Sequence, residues 1–219
     1  MGKVRMGILD GFYGKVGTVV GSFWKGKPVM RAYVRPKGSH TSSEAQALIQ
    51  TRFAAINSLS GAFLSALQLG FGPIARQRHV TEGNVFVTEN WDCIHADTPG
   101  AATVDYTELV IARGHLPEVL FGNASFAEPL QVAVPMTDTS DVIGADAHDK
   151  VYLFVYSPEA GAGVMSDGRN TRADESLSVN VPAYWNGHRV HVWGFAIGNG
   201  PDNQGVISDS RYLGSGTIS

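Results

Sequence analysis

Hydrophobic residues in the second half of the chain fall into short runs separated by turn-forming residues. From about residue 102 these runs are rich in β-branched and aromatic residues, and several alternate apolar and polar positions, which is typical of half-buried strands. Seven strands at this spacing are typical of an immunoglobulin-like or fibronectin-like β-sandwich. The aromatic residues expected between its two sheets are Tyr152, Phe154, Tyr156, Trp193 and Phe195. The predicted strands lie near 103–112, 118–126, 129–135, 150–156, 175–181, 188–197 and 205–213.

One segment of the first half has a helical period instead. Ser43 and Gln46 fit a capping box, and apolar residues then recur at steps of three and four. The stripe predicts one long helix over about 44–69, ended by the glycines and proline of 70–73. Further on the period is unclear, and NVFVTENW (84–91) is compatible with a short strand or a turn. The apolar stripe consists of Ile49, Phe53, Ile56, Leu59, Phe63, Leu67 and Phe71.

The N-terminal segment 1–37 combines β-forming residues with a glycine every few positions. Lys25-Gly26-Lys27 predicts a hairpin turn between a strand near 16–24 and another near 28–34. The segment is too short and too rich in glycine to build a core alone. We therefore expect it to act as an arm that lies on the rest of the fold or on a neighbouring copy.

These patterns predict a mainly β protein, in which a β-hairpin arm and one long helix precede the sandwich. The expected domains are the arm, helix and connecting segment (1–100) and the β-sandwich domain (101–219). A chain of 219 residues that is 43% hydrophobic can bury a sizeable core without metal or disulfide bonds.

Cysteine content and hydropathy bear on where the protein folds. The single cysteine, Cys93, allows no intramolecular disulfide and suits a reducing compartment. The first 30 residues lack the continuous apolar core of a signal peptide, and no run approaches the ~20 apolar residues of a membrane span. We expect folding in the cytoplasm, which is compatible with later incorporation into a virion or an extracellular assembly.

Charge is unevenly distributed along the chain. The net charge of −3 and a pI near 6.1 do not favour nucleic acid as the main partner, yet residues 1–37 carry eight basic side chains against one acid, Asp10. The arm could contact nucleic-acid phosphates, with Phe23, Trp24 and Tyr33 stacking on bases. Alternatively, it pairs with an acidic loop of a neighbouring copy, and the acidic C-terminal half favours this second interpretation. The loop's acidic residues are Asp138, Asp141, Asp146 and Asp149.

Candidate metal and cofactor sites are weak. The aspartates between 138 and 149 lack the glycine and the terminal glutamate of a twelve-residue calcium loop, so a solvated loop is the better interpretation. His188 and His191 lie three apart in a predicted strand, so they face opposite sides of the sheet. The glycines of the arm do not form a G-x-G-x-x-G loop or end in G-K-[ST]. No metal or cofactor is predicted.

Candidate nucleophiles also lack supporting motifs. Ser208, Asp209 and Ser210 lie in a predicted strand without a G-x-S-x-G elbow, and Cys93 is interpreted as a small core residue. Paired carboxylates for a hydrolase can lie far apart in sequence, and no pair is singled out here. We predict that the protein is not an enzyme.

Several segments resemble an uncharacterised bacterial domain family of about this length. They are GKVGTVVGSFWKGKPVMR, the T-x-x-E-A-Q…Q-x-R-F entry into the helix, VDYTELVIARG-x-LP, DKVYLFVY, VHVWGF and SDSRYLG. The resemblance implies a similar N-terminal segment followed by a C-terminal β domain, and no activity. The glycine-rich hairpin followed by a polar helix is also similar to the entry of some phage structural proteins.

The sequence therefore predicts a structural, self-assembling subunit of a virion component, tube, fibre or other ordered homo-oligomer. Its expected partners are copies of itself and other assembly proteins, and nucleic acid is the less favoured contact of the arm. One alternative is a β-sandwich module that binds carbohydrate or protein, with Tyr184 and Trp185 as an exposed platform. A second is a hydrolase with two dispersed carboxylates in one cleft. The predicted assembly interface consists of Val19, Phe23, Trp24, Lys25, Lys27, Val29, Arg31 and Arg35.

Overall fold

A computed structural model describes residues 3–4, 12–34 and 42–219 of the chain. The fold is mainly β, as predicted, with several antiparallel sheets and four α-helices in the described residues. The chain divides into two compact units, an N-terminal unit (Met1–Ser43) and a C-terminal unit (Glu44–Ser219).

The N-terminal unit contains a four-stranded antiparallel sheet with the strands in chain order. The predicted turn is confirmed at Lys25 and Gly26, whose φ angles of 45° and 77° suit the tight two-residue turns of hairpins. A second two-residue turn, at Gly17 and Thr18, joins two further paired strands, so the arm is a small sheet rather than a single hairpin. The strands are β1 (Lys3–Val4), β2 (Phe12–Val16), β3 (Val19–Trp24) and β4 (Lys27–Ala32).

The prediction of one continuous helix over 44–69 is wrong, because two helices occupy this region and two short ones follow it. The chain bends by 82° between the first two helices, at Phe63, and the fully buried Phe63 ring packs among aromatic residues of other elements. Tertiary packing here overrides the local helical period. Within the described chain, no single helix is long and apolar enough to span a membrane, and only the bent first pair taken together meets that test. The helices are α1 (Glu44–Ala62), α2 (Leu64–Gly70), α3 (Gly72–Arg78) and α4 (Glu82–Glu89).

The segment NVFVTENW, expected to be a strand or turn, is mostly helical. It lies in α4, where the hydroxyl of Thr81 accepts a hydrogen bond from the Asn84 N–H at 3.2 Å. A threonine in this position satisfies one of the unpaired amides at a helix start. This cap, three residues before Asn84, was a detectable signal in the sequence.

Three antiparallel sheets make up the strands of the C-terminal unit, in the orders β10-β9-β12-β13, β11-β8-β7 and β5-β6. The predicted strands 103–112 and 118–126 are largely irregular. In the first range β6 ends at Val104, and in the second only Leu120, Phe121 and, in an isolated bridge, Ser125 are paired. The strands are β5 (Ile94–Thr98), β6 (Ala101–Val104), β7 (Leu120–Phe121), β8 (Gln131–Thr137), β9 (Lys150–Ser157), β10 (Ala162–Met165), β11 (Ser176–Asn180), β12 (Arg189–Ile197) and β13 (Arg211–Thr217).

The sheet β10-β9-β12-β13 is covered on both faces. Aliphatic residues of β9 and β12, among them Val151, Leu153 and Val155, form one hydrophobic cluster with Val132 and Val134 of β8. The opposite face carries the five large aromatic residues, which cluster with the helices instead. The expectation that these aromatic residues lie between two sheets is therefore wrong. Alternation along β9 and β12 sends the aliphatic residues to one face and the aromatic residues to the other.

The helical region and the sheet share a single core. The Phe63 ring lies 4.7 Å from Phe154 and 5.4 Å from Trp193, centroid to centroid. These contacts join the helices to β9 and β12 within the compact unit Glu44–Ser219.

Candidate assembly interface

The register of β2, β3 and β4 sorts the side chains of the N-terminal sheet into two faces. Gly21 lies opposite both Gly14 and Met30, and Val19 lies opposite both Val16 and Ala32. Directly opposed residues share a face of a sheet, and neighbours along a strand alternate. The residues that share a face with Gly21 all lack polar side chains, and we call this set the apolar face. It consists of Gly14, Val16, Val19, Gly21, Phe23, Pro28, Met30 and Ala32.

The apolar face is only partly covered. Phe12 packs on Gly21, where a Cβ atom would come within 2.8 Å of the Phe12 ring, and Gly21 is the one buried residue among 12–34. Around it Met30 is 67% exposed, Val16 52% and Phe23 43%. Exposed apolar side chains gathered on one face of a sheet indicate an interaction surface.

The other face of the sheet is basic and aromatic. Trp24 lies opposite Lys27, and Arg31 lies in one row with Lys15 across the sheet. The Lys15 ammonium lies 3.5 Å from the centre of the Tyr33 ring, a cation–π contact. Residues 12–34 contain four basic side chains and no acidic one. We call this second set, with Tyr33 included, the basic face: Lys15, Val20, Ser22, Trp24, Lys27, Val29, Arg31 and Tyr33.

The predicted interface residues are distributed over both faces. Val19 and Phe23 belong to the apolar face, and Lys25 lies in the turn between β3 and β4. Trp24, Lys27, Val29 and Arg31 belong to the basic face, and Arg35 lies outside the described residues. One flat contact cannot include both faces, so these residues do not form a single continuous interface.

The last of the four aspartates in the predicted acidic loop is not exposed. Asp149 is fully buried, and its Oδ2 atom accepts a hydrogen bond from Arg172 Nε at 3.1 Å. The guanidinium of Arg172 also donates to Thr139 Oγ1 and to the carbonyl oxygen of Pro117. A buried aspartate with a buried arginine partner is not available for an arm, so the expectation of a solvated loop is wrong at Asp149.

The comparison with known families concerns almost the whole chain. A model of a family of unknown function, DUF6266, matches residues 11–214. The chain belongs to the DUF6266 family. The match includes most of both units, and the prediction of an uncharacterised family is thereby confirmed. No curated protein and no solved structure matches the chain.

The alternative of a binding module with a Tyr184–Trp185 platform is only half compatible with this DUF6266 fold. Tyr184 is 66% exposed, but Trp185 is fully buried in the aliphatic cluster, and its indole N–H has no partner among the described groups. The local sequence PAYWNG could not reveal that the two rings point to opposite environments.

One cleft of the C-terminal unit is large enough for a small molecule. It has a volume of about 650 Å³ and lies between α3 and the segments 113–115 and 205–209. Its two arginines are already paired, Arg113 with Asp209 at 3.2 Å and with Glu89 at 3.4 Å, and Arg78 with Glu89 at 3.6 Å. These pairs leave a cleft of nearly balanced charge in this DUF6266 member.

Two titratable groups of the C-terminal unit, His191 and Tyr106, lie among aromatic rings and have shifted pKa values. His191 stacks on Tyr106 with 4.1 Å between ring centres, and its Nδ1 atom lies 2.9 Å from the Tyr212 hydroxyl. Burial, with a smaller contribution from nearby Arg189, lowers the pKa of His191 to about 4. Burial likewise raises the pKa of Tyr106 to about 12. The two groups are therefore neutral at pH 7 and act as packing residues.

The hydrolase alternative requires two buried carboxylates that converge in one cleft. Asp149 is the only fully buried carboxylate among the described residues, and Asn203 and Arg172 occupy its two oxygens. No group of three or more histidine, cysteine or acidic side chains in the described ranges could hold a metal ion. Ser208 donates to the carbonyl oxygen of Asp209 and accepts from the Ala196 N–H, which ties β12 to the segment before β13.

Proposed function

We propose that the protein is a structural subunit that assembles with copies of itself through the apolar face of its N-terminal sheet. The observation that carries this proposal is the composition of that face, which has no polar side chain and leaves Val16, Phe23 and Met30 about half exposed or more. A small sheet of this kind is stable only when another layer covers its apolar side.

A second copy of the same sheet is the occupant that this face suits best. Two identical apolar faces can pack together about a two-fold axis, as the inner faces of two sheets do. Pairing along the outer edge of β4 is less suitable, because Pro28 in that strand has no N–H to donate and Lys27 adds a charge. The C-terminal unit already has both faces of its central sheet covered by its own residues.

The size of the face sets the strength of one contact. Three strands about 4.8 Å apart and about 20 Å long give roughly 300 Å² per copy. The total of about 600 Å² is well below the ~1,200 Å² of a stable pairwise interface. A single contact of this kind is weak and closes as a dimer, so an ordered assembly needs this contact together with contacts of other surfaces.

The finer features of the prediction fit this role. We propose that the two sheets that share the aliphatic cluster form the predicted sandwich, since β8 and β11 contribute Val132, Val134, Leu177 and Val179 to the same core as β9 and β12. This rigid body would be displayed by an assembly such as a virion component, tube or fibre, built from copies folded in the cytoplasm.

Sedimentation velocity over a wide range of concentrations tests the proposal. We expect the native chain to show a mass that rises with concentration, and the double variant Phe23→Ser/Met30→Ser to stay monomeric. Ser22→Ala, on the opposite face of the same strand, is the matched control and should assemble as the native chain does. A native chain that remains a monomer at every concentration would contradict the proposal.

A further inference from the structure

We propose that the basic face of the N-terminal sheet binds single-stranded nucleic acid. This inference concerns the opposite side of the sheet from the self-assembly surface and does not depend on it. The register brings Lys15, Lys27 and Arg31 onto the same face as Trp24. The sequence left nucleic acid as the less favoured partner of the arm, and the strand register now places these cations beside Trp24 on one face.

Charge is the first argument. Residues 1–43 contain eight basic side chains and one acid, whereas residues 44–219 contain nine basic side chains and nineteen acids. The arm is therefore strongly positive in a chain whose net charge is −3. Lys27 and Arg31 form no ion pair with any described carboxylate. A concentration of cations without acids on one surface attracts a polyanion.

The aromatic side chains are the second argument. Trp24 is 53% exposed and lies directly opposite Lys27, so a base stacked on the indole would have its phosphate beside an ammonium group. Stacking on exposed aromatic rings beside basic groups is the usual way in which proteins bind single strands without reading their sequence. Tyr33 lies at the other end of the face and already carries Lys15 over its ring, so Trp24 is the more accessible platform.

The length of the basic face suits a short single strand. From Lys27 to Tyr33 the face extends about 20 Å along β4, which matches a short site of about four nucleotides. A double helix is a poorer match, since stacking on Trp24 requires unpaired bases.

An acidic surface on a neighbouring copy is the competing partner of this face. The structure weakens that alternative, because Asp149 is buried against Arg172 and Asp146 is hydrogen-bonded to His148 at 2.8 Å. Only Asp138 and Asp141 of the predicted acidic loop remain as exposed carboxylates without a described salt bridge. This particular loop therefore offers few free charges to a face with three cations and an exposed indole.

Fluorescence anisotropy of a labelled oligothymidylate of about eight nucleotides, titrated with the full chain at several salt concentrations, tests the inference. Three phosphate contacts predict a slope of log K against log salt of about −2. Lys27→Ala/Arg31→Ala should reduce that slope to about −0.7. Trp24→Ala should weaken binding roughly tenfold, whereas Trp24→Phe should retain most of the affinity.

Matched variants separate this inference from the self-assembly proposal. Phe23→Ser/Met30→Ser, on the opposite face of the sheet, should lose self-assembly but still bind the short oligonucleotide with the native affinity. Absence of oligothymidylate binding by the native chain would overturn the inference. Equal losses of oligonucleotide affinity in Trp24→Phe and Trp24→Ala would also overturn it. The same holds if basic-face variants dissociate oligomers while the native chain does not bind the oligonucleotide.

Discussion

The two larger antiparallel sheets of the molecule contrast in what covers them. The sheet β10-β9-β12-β13 has aromatic residues packed on helices on one face and aliphatic residues packed on a second sheet on the other. The N-terminal sheet buries only Gly21 among residues 12–34. Both use a glycine to bring an aromatic ring against the backbone, Gly194 under Phe121 and Gly21 under Phe12. Similar local strand chemistry thus accompanies a covered core in one unit and a largely exposed sheet in the other.

The difference lies in the amount of apolar surface removed from water within one chain. Each fully buried large side chain of the C-terminal unit contributes about 1.5–3 kcal/mol of transfer free energy. The exposed half of Phe23 or Met30 contributes nothing comparable until a partner covers it. We therefore expect substitutions in the two sheets to affect different measurements.

The largest contrast is expected between Phe63→Ala and Phe23→Ala. The Phe63 ring contacts Phe86, Phe154 and Trp193 with centroid separations of 4.7–5.8 Å, so its removal should lower the free energy of unfolding by about 3–5 kcal/mol. Phe23→Ala should change it by no more than about 0.5 kcal/mol while reducing self-association. Urea unfolding of both variants in dilute solution measures the difference. Equal losses of stability would mean that the N-terminal sheet has a covered core of its own.

A similar contrast separates two arginines of the C-terminal unit. Arg172→Met leaves Asp149 buried without its cationic partner, which should cost about 3–5 kcal/mol. Arg169 is paired with Asp167 at 3.0 Å, but both side chains are largely exposed. Arg169→Met should therefore change thermal stability by less than about 1 kcal/mol. Equal thermal stabilities of the two variants would mean that the buried ion pair does not stabilise this part of the fold.

The smallest of these effects is expected for acid sensitivity at His191. Its pKa is about 4 in the folded protein, against 6.5 for an unperturbed histidine, so between these pH values the unfolded chain binds a proton that the folded protein excludes. Stability is fully present above pH 6.5 and is lost as pH falls towards 4, by at most about 3 kcal/mol. Tyr106 and Tyr212 contact the ring, and the charged groups acting on it are Arg189 and Glu159.

The measurement is the free energy of unfolding as a function of pH for the native chain and His191→Gln. The variant should show a flatter profile between pH 6.5 and 4, whereas His95→Gln, at an exposed position, should follow the native profile. A native profile that is flat over this interval would show that His191 titrates normally.

The local sequence pattern was sufficient to predict individual strands and turns. The turn at Lys25 and Gly26 and the strands β9 and β12 follow directly from turn chemistry and from alternation. The division of the arm into an apolar and a basic face also lies in the alternation, but it becomes visible only once the register is known.

Features that depend on distant contacts could not be predicted. The break at Phe63 exists because its ring packs on residues about 90 and 130 positions further along the chain. Asp149 resembles the other loop acids in sequence, and only the approach of Arg172 from another loop makes it a buried ion-pair partner. The burial of Trp185 could not be predicted from its local sequence either, because it is provided by strands far away in sequence.

The central claim is that the C-terminal unit folds alone and that the N-terminal sheet supplies self-association. Its most direct test is sedimentation velocity combined with urea unfolding on the full chain and on residues 44–219. We predict that the shortened chain is monomeric at every concentration and unfolds in one cooperative transition, at the same midpoint as the full chain in dilute solution. A shortened chain that still assembles like the full chain, or that fails to fold, would contradict this claim.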